Sequence, residues 1–298
     1  MILLSGATGL VGSALLRRLV AAGTPVRALV RDPKRLGDER VRVQISLGDL
    51  ADPPSFRNAL RGVNTVIHCA ATIRDQPGGS IEELNGIATW RLVQAAERAG
   101  VERFVFFSAL GASSHNRTRF LRAKALAEQA VVEAGLAHTI FAPSIVYAPG
   151  DPFLSMLERM SLLPVMPVSG AGRAAYQPIW AEDVADAVIA ALREPAEAQR
   201  YELAGPEVLT HTEIVETALR SFGRDRPVVH VPTPVVSRAL RIAEGLMKSK
   251  APAVWDEAEL MEVSMTTPRG TADAEALGVR PRTMADVLGA PRRAPLAA

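Results

Sequence analysis

Short apolar runs alternate along the chain with stretches of helical periodicity. Ile2, Leu3 and Leu4 read as a buried strand, after which Val11, Ala14, Leu15 and Leu19 fall on one helical face with Arg17 and Arg18 off it. Gly23 ends that helix as a left-handed cap. The pattern predicts further strands over Val26–Val30, residues 41–45, Thr65–His68, residues 104–107 and residues 139–142. Between them it predicts helices over residues 53–60, over a stretch marked by Ala88, Leu92, Ala95, Ala96 and Ala99 and closed at Gly100, and over residues 120–134, closed at Gly135. This strand–helix rhythm implies an α/β fold, a doubly wound parallel sheet with helices on both faces.

The rhythm changes after residue 150, where Pro149, Pro152, Pro164, Pro167 and Pro178 punctuate the chain. Residues 1–150 are therefore read as one domain and 151–290 as a smaller, mostly helical C-terminal lobe, with 291–298 as a disordered tail. Residues 181–205 are expected to pack back on the first domain. They carry a helix over 182–192 (Val184, Ala185, Val188, Ile189 and Leu192 on one face) and a late strand over 201–203.

Composition narrows the function classes. The 298 residues, 48% hydrophobic, can bury a sizeable core. A net charge of +2 points to neither nucleic acid nor an anionic membrane, and Arg282, Arg292 and Arg293 are too few to change that. Cys69 is the only cysteine, which rules out an intrachain disulfide, argues against a cysteine-based metal site and fits a reducing cytoplasm. The apolar start resembles a signal peptide, but Arg17 and Arg18 follow the run rather than precede it, and a strand entering a helix explains it better. No apolar stretch is long enough to span a bilayer. A helix over 235–247, with Val235, Ala239, Ile242 and Leu246 on one face and Arg238, Arg241, Lys248 and Lys250 nearby, could touch a membrane surface, but the wall of a substrate pocket is favoured.

The chemistry is concentrated at Gly6-Ala7-Thr8-Gly9-Leu10-Val11-Gly12, where the first strand meets the first helix. Gly6 permits a tight turn, Gly9 lets a pyrophosphate approach the backbone, and Gly12 lets the helix pack close to the sheet. The helix start then presents unpaired N–H groups to phosphate. The spacing is Gly-x-x-Gly-x-x-Gly, and its position at a strand–helix junction followed by further βα units points to a nicotinamide dinucleotide. The second strand runs into Val30-Arg31-Asp32-Pro33-Lys34-Arg35. Arg31, assisted by Lys34 and Arg35, suits a 2′-phosphate and favours NADP(H) over NAD(H); Asp32 on a ribose hydroxyl would favour NAD(H). Asp49, followed by Leu50, could accept from an adenine amino group or cap the helix beginning near Pro53. Cys69, Ala70 and Ala71 are small residues that let the chain pass beneath a cofactor.

Together these segments resemble the atypical short-chain dehydrogenase/reductase family. The resemblance rests on the glycine loop, Val30-Arg31-Asp32-Pro33, Asp49-Leu50, His68-Cys69-Ala70-Ala71, Phe107-Ser108, Pro143-Ser144-Ile145-Val146-Tyr147 and Gln177 through Ala185. It covers residues 1–205 well and the C-terminal lobe loosely. The Gln-Pro…Glu-Asp-Val-Ala stretch and the ending Leu277-Gly278-Val279…Asp286-Val287-Leu288 look most like the branch containing the dehydrogenase-like accessory subunit of respiratory complex I. The resemblance implies that Pro143 and Ile145 line the nicotinamide side. It also implies a catalytic Ser and a Tyr-x-x-x-Lys pair, the Tyr moving a proton while the Lys lowers its pKa and holds the ribose. Ser108 and Lys124 occupy their places, but the Tyr position holds Phe120, which has no hydroxyl. Lys124 could alternatively pair with Glu128 at the surface. His115 and Tyr147 are candidate replacements for the missing phenol. Two functions follow: a cofactor-bound scaffold, assembly factor or redox sensor, or an NADPH-dependent oxidoreductase with a non-standard proton donor. The substrate or protein partner is not legible.

Overall fold

The computed structural model describes residues 1–232, 234–236, 238 and 259–291. The first half of the chain forms β1 (Ile2–Ser5), α1 (Leu10–Ala21), β2 (Val26–Val30), β3 (Gln44–Leu47), α2 (Pro53–Phe56), β4 (Thr65–His68), α3 (Ala88–Arg98), β5 (Arg103–Phe107), α4 (Arg119–Glu133) and β6 (Ala137–Pro143). Later come β7 (Val146–Tyr147), α5 (Pro152–Met160), β8 (Met166–Ser169), β9 (Ala175–Tyr176), β10 (Ile179–Trp180), α6 (Ala181–Ala191), β11 (Gln199–Leu203), β12 (Leu209–Thr210), α7 (His211–Ser221) and β13 (Val228–Val231).

Seven strands form one sheet in the order β11-β6-β5-β4-β1-β2-β3, every neighbouring pair parallel. The order reverses between β1 and β4. In an open parallel sheet such a switch leaves a crevice at the carboxyl ends of the two strands, because the helices that follow them depart to opposite faces. One face is packed by the apolar stripes of α1 and α6 (Leu15, Leu19, Val184, Val188), the other by α3 and α4 together with Phe56 and Leu60 (Leu92, Val93, Ala127, Val131). Ion pairs from Arg17 and Arg18 on α1 to Glu182 and Asp186 add to the α1–α6 contact.

The third strand lies three residues later than its expected start at residue 41. Residues Pro33–Val41 instead form a distorted 3₁₀ stretch, begun where Asp32 accepts from the Lys34 N–H. β3 is the sheet edge, and Ile45 and Leu47 are exposed, so no buried face fixes its limits. The expected helix over 53–60 divides into α2 and a 3₁₀ turn, and α3 is preceded by a π-turn over Glu83–Ile87.

A second core gathers Leu110, Leu121, Tyr147, Leu154, Met166, Tyr176, Ile214, Met265 and Met284. It joins the end of the sheet to the lobe formed by α5, α7 and the paired strands β8–β13 and β9–β12. Ser144, just past β6, ties the two together: its hydroxyl donates to the Met265 carbonyl at 2.6 Å and accepts from the Gln177 N–H at 3.0 Å. The expected amphipathic helix over 235–247 lies largely outside the described residues, as do residues 292–298 of the expected tail. Among the described residues, no helix is long and apolar enough to cross a membrane.

Candidate functional site

A cleft of ≈ 430 Å³ opens at the switch between β1 and β4. Its floor is Ser5, Gly6, Ala7, Thr8 and Gly9 from the first turn and Cys69, Ala70 and Ala71 beyond β4. Arg31, Asp32 and Arg35 beyond β2, and Gly48, Asp49 and Leu50 beyond β3, form one end. Thr72 and Gln76 close the opposite wall. Lys34 is not part of the lining, so of the three expected cations Arg31 and Arg35 face the cleft.

The three loop glycines differ in what fixes them. Gly6 has φ +74°, and a Cβ there would stand 2.4 Å from the Ala70 nitrogen. At Gly12 a Cβ would meet the Gly6 carbonyl oxygen at 2.0 Å, so close packing of α1 against its own turn excludes any side chain. Gly9 has ordinary extended geometry (φ −85°, ψ 175°), and its Cβ would touch only the Gly6 oxygen at 3.4 Å. The protein's own packing therefore leaves the Gly9 side free, which is what a ligand lying over that residue needs.

The first intrahelical bond of α1 runs from the Ser13 N–H to the Gly9 carbonyl, so the N–H groups of Leu10, Val11 and Gly12 have no i−4 partner. No side chain caps this end, and the first turn carries no acidic residue. Three donors and the positive end of the helix dipole are thus left for an anion.

At the other end of the cleft, the Arg31 side chain is 57% exposed. It donates to Gln76 Oε1 at 3.1 Å and stands 4.0 Å from Asp49 Oδ2. Asp49 does not cap the helix at Pro53; its other carboxylate oxygen accepts from the Ala51 N–H. Asp32 also lines the cleft, and its Oδ1 accepts from the Lys34 N–H, a local cap. Cys69 is partly buried, and desolvation raises its thiol pKa, so the thiol is poorly nucleophilic.

Ser108, Phe120, Lys124, Pro143 and Ile145 lie outside this lining. Lys124 is 2% exposed and is not a surface partner of Glu128, which instead faces Arg200 at 3.6 Å. Its ammonium donates to the Phe107 carbonyl at 2.6 Å and lies 4.9 Å from the Phe106 ring centroid and 5.6 Å from that of Phe120. Burial lowers its pKa to about 8, opposed by Cys69 and Glu128. The Ser108 hydroxyl is buried with no hydrogen-bond partner. Phe120 packs at the edge of the second core. Neither candidate replacement for a phenol joins them. Tyr147 is 3% exposed, its hydroxyl donates to the Thr283 carbonyl at 3.5 Å, and burial raises its pKa. His115 is exposed on the loop before α4, against Ser114.

Asn85, Thr89 and Gln76, which the sequence reading passed over, help organise the floor and wall around His68. His68 is fully buried between Ser5 (2.6 Å from Nδ1) and Thr89 (2.8 Å from Nε2). The Thr89 proton is committed to the Asn85 carbonyl at 2.6 Å, so Thr89 must accept from Nε2–H. Full burial holds the ring neutral, so His68 Nδ1 is the acceptor and Ser5 the donor. Asn85 in turn accepts from the Thr72 N–H and donates to the Thr72 carbonyl, pinning the cleft wall. The available signal was Asn85 and Thr89 on the apolar face shared with Ile81, Ala88 and Leu92; Gln76 left none.

Burial, with a smaller contribution from the Lys124 charge, depresses the His68 pKa from 6.5 to about 3. Below pH 6.5 the unfolded chain takes up a proton that the folded chain refuses, so stability falls as pH drops toward 3. The loss by pH 5 is about 2 kcal/mol. Urea unfolding of wild type and His68→Gln at pH 7 and pH 5 checks this: the variant should lose less stability between the two, and equal losses would place the acid sensitivity elsewhere.

A parallel sheet, an uncapped helix start over a glycine turn and a cleft at the switch point define a Rossmann dinucleotide-binding protein. The family described as NAD(P)H-binding matches residues 6–195. The chain belongs to this NAD(P)H-binding family, within the atypical short-chain dehydrogenase/reductases. It is similar to the mitochondrial NADH dehydrogenase (ubiquinone) 1 alpha subcomplex subunit 9 of Arabidopsis thaliana, 31% identical over 261 residues that cover 83% of this chain and 64% of that protein. The match thus spans less than two thirds of the plant subunit. It is also similar to the NAD(P)H azoreductase of Xenophilus azovorans, 31% identical over 233 residues, 78% of this chain and 76% of the relative. A nucleoside-diphosphate-sugar epimerase of Staphylococcus aureus has the same fold at TM-score 0.76 and 21% identity, over 96% of this chain and 99% of that one.

Proposed function

We propose that the protein holds NADP(H) in preference to NAD(H), and serves as a cofactor-bound scaffold, assembly factor or redox sensor rather than as an ordinary carbonyl reductase. The observation that carries this reading is the Phe120 ring beside the Lys124 ammonium, where a proton-donating phenol would be needed. Tyr147 is bonded into the C-terminal lobe and His115 is exposed on a loop, so neither supplies the proton in its place.

In this reading the N–H groups of Leu10, Val11 and Gly12, with the turn Gly6 to Gly9, hold the pyrophosphate. Arg31 and Arg35 take the 2′-phosphate, Asp49 and Leu50 face the adenine, and Cys69, Ala70 and Ala71 form the floor. Lys124, Ser108, Pro143 and Ile145 form the nicotinamide end. The bound cofactor supplies a hydride or accepts one. The similarity to the complex I subunit supports a role beside other proteins, and the single cysteine fits a reducing cytoplasm. The second reading, an oxidoreductase acting on a small carbonyl, enone or quinone, is favoured by the retained Ser108 and Lys124 and by the similarity to the azoreductase.

Steady-state NADPH oxidation by the wild type over quinones, enones, aldehydes and azo compounds discriminates the two: the scaffold reading expects no appreciable turnover. Calorimetry tests the cofactor. NADPH should bind about tenfold or more tighter than NADH, because only a 2′-phosphate can form an ion pair with Arg31. Arg31→Asp should reverse the order, and equal wild-type affinities would overturn the NADP(H) assignment.

A further inference from the structure

Arg31 is held from two sides. Asp49 stands at 4.0 Å on the β3 side, and the Gln76 carboxamide accepts from its NH1 at 3.1 Å across the mouth of the cleft. Gln76 is itself fixed. Its Nε2 donates to Thr72 Oγ1 at 3.1 Å, and its backbone exchanges two hydrogen bonds of 3.0 Å with Gly79, closing a tight turn through Pro77 and Gly78. Asp75, the preceding residue, is anchored by Arg119 at 3.0 Å and by the Ile81 N–H at 2.8 Å. The turn is therefore a rigid arm that brings one neutral acceptor to the guanidinium.

The neutrality of that acceptor matters. Arginine has five N–H donors, and one bond to an amide oxygen orients the fork without cancelling its charge. A carboxylate at the same position would pair with Arg31, and with Asp49 already beside it would leave the guanidinium flanked by two anions. An incoming phosphate would then meet a neutralised cation and a like charge.

We infer that Gln76 is a cofactor-specificity residue: its carboxamide positions the Arg31 guanidinium for a phosphate on the adenosine 2′-oxygen while preserving the positive charge that attracts it. This rests on the NADP(H) reading above. It assigns the discrimination to a residue on the turn after β4, far in sequence from the strand end that carries Arg31.

The test is calorimetry on the full-length, nucleotide-stripped protein with four probes: NADPH, NADH, adenosine 2′,5′-bisphosphate and adenosine 5′-monophosphate. In Gln76→Glu the ratio of NADPH to NADH affinity should fall about tenfold, the order expected for like charges a few ångströms apart at a protein surface. NADH and the monophosphate should bind nearly as before. Gln76→Met, which keeps the length but neither donates nor accepts strongly, should fall between wild type and Glu, and it serves as the reporter if the Glu variant does not fold. In an Arg31→Ala background, Gln76→Glu should change the ratio much less, because the residue acts through the guanidinium. A merely structural role for the turn would weaken all four probes together. A selective wild type whose ratio is unchanged in Gln76→Glu, or one in which all four probes weaken equally, would overturn this inference and leave the NADP(H) reading standing. A wild type with no preference for the 2′-phosphate probes would overturn both.

Discussion

Gly9→Val should abolish dinucleotide binding and leave the fold intact. Gly9 is the N-cap of α1, in extended backbone open to any residue, and its Cβ would meet only one atom of the protein, at 3.4 Å. Valine is a poorer N-cap than glycine, which costs on the order of 1 kcal/mol. A domain of ordinary stability tolerates that. The isopropyl group would occupy the space over the three unpartnered N–H groups, displacing any phosphate from them. We expect the NADPH dissociation constant to rise by at least about a hundredfold, roughly 3 kcal/mol. Gly12→Val is the contrasting control: its Cβ would stand 2.0 Å from the Gly6 oxygen, so it should damage folding itself. Native circular dichroism with unchanged NADPH affinity in Gly9→Val would mean that the pyrophosphate does not pass over Gly9.

Legibility of the site follows the range of the interactions that build it. The glycine turn is readable because each glycine answers a constraint from its own strand–helix junction. The strands β1, β2, β4 and β5 are readable because their apolar runs are buried, leaving little freedom in placement. β3 escaped by three residues because it is an exposed edge, where Val41, Ile45 and Leu47 all remain accessible and apolar character no longer marks burial. The wall escaped for a different reason. Gln76 meets Arg31 across 45 positions and His68 meets Ser5 across 63, and no local spacing encodes either contact. Lys124 shows the limit of helical spacing: an i,i+4 carboxylate at Glu128 suggests a surface pair, yet the lysine stem turns inward to the Phe107 carbonyl. The missing phenol at Phe120 was legible only by reference to a family pattern, since nothing in the sequence itself says what that position should hold.

Phe120 offers the sharpest test of function. The wild type should show no appreciable turnover of simple carbonyl substrates, whereas Phe120→Tyr should gain measurable activity if the remaining groups hold reductase geometry. The ring already lies 5.6 Å from the Lys124 ammonium, which burial holds at a pKa of about 8 and which is therefore mostly charged at neutral pH. That charge favours phenolate and would lower the pKa of a new phenol beside it. The Ser108 hydroxyl is buried without a partner, and Lys124 has N–H groups beyond the one given to Phe107, so the site has spare hydrogen-bonding capacity for an added hydroxyl. Using it would limit the cost of burying the phenol. A positioned general acid is worth about a hundred- to ten-thousand-fold in rate, so the gain should stand clear of background. NADPH affinity should be nearly unchanged, because Phe120 brings no polar group to the cofactor. Lys124→Ala in the Tyr background should remove the gained activity, separating a true proton donor from a change in packing. A wild type that turns over briskly, and loses that rate in His115→Ala or Tyr147→Phe, would instead identify a reductase with a relocated donor and end the scaffold reading.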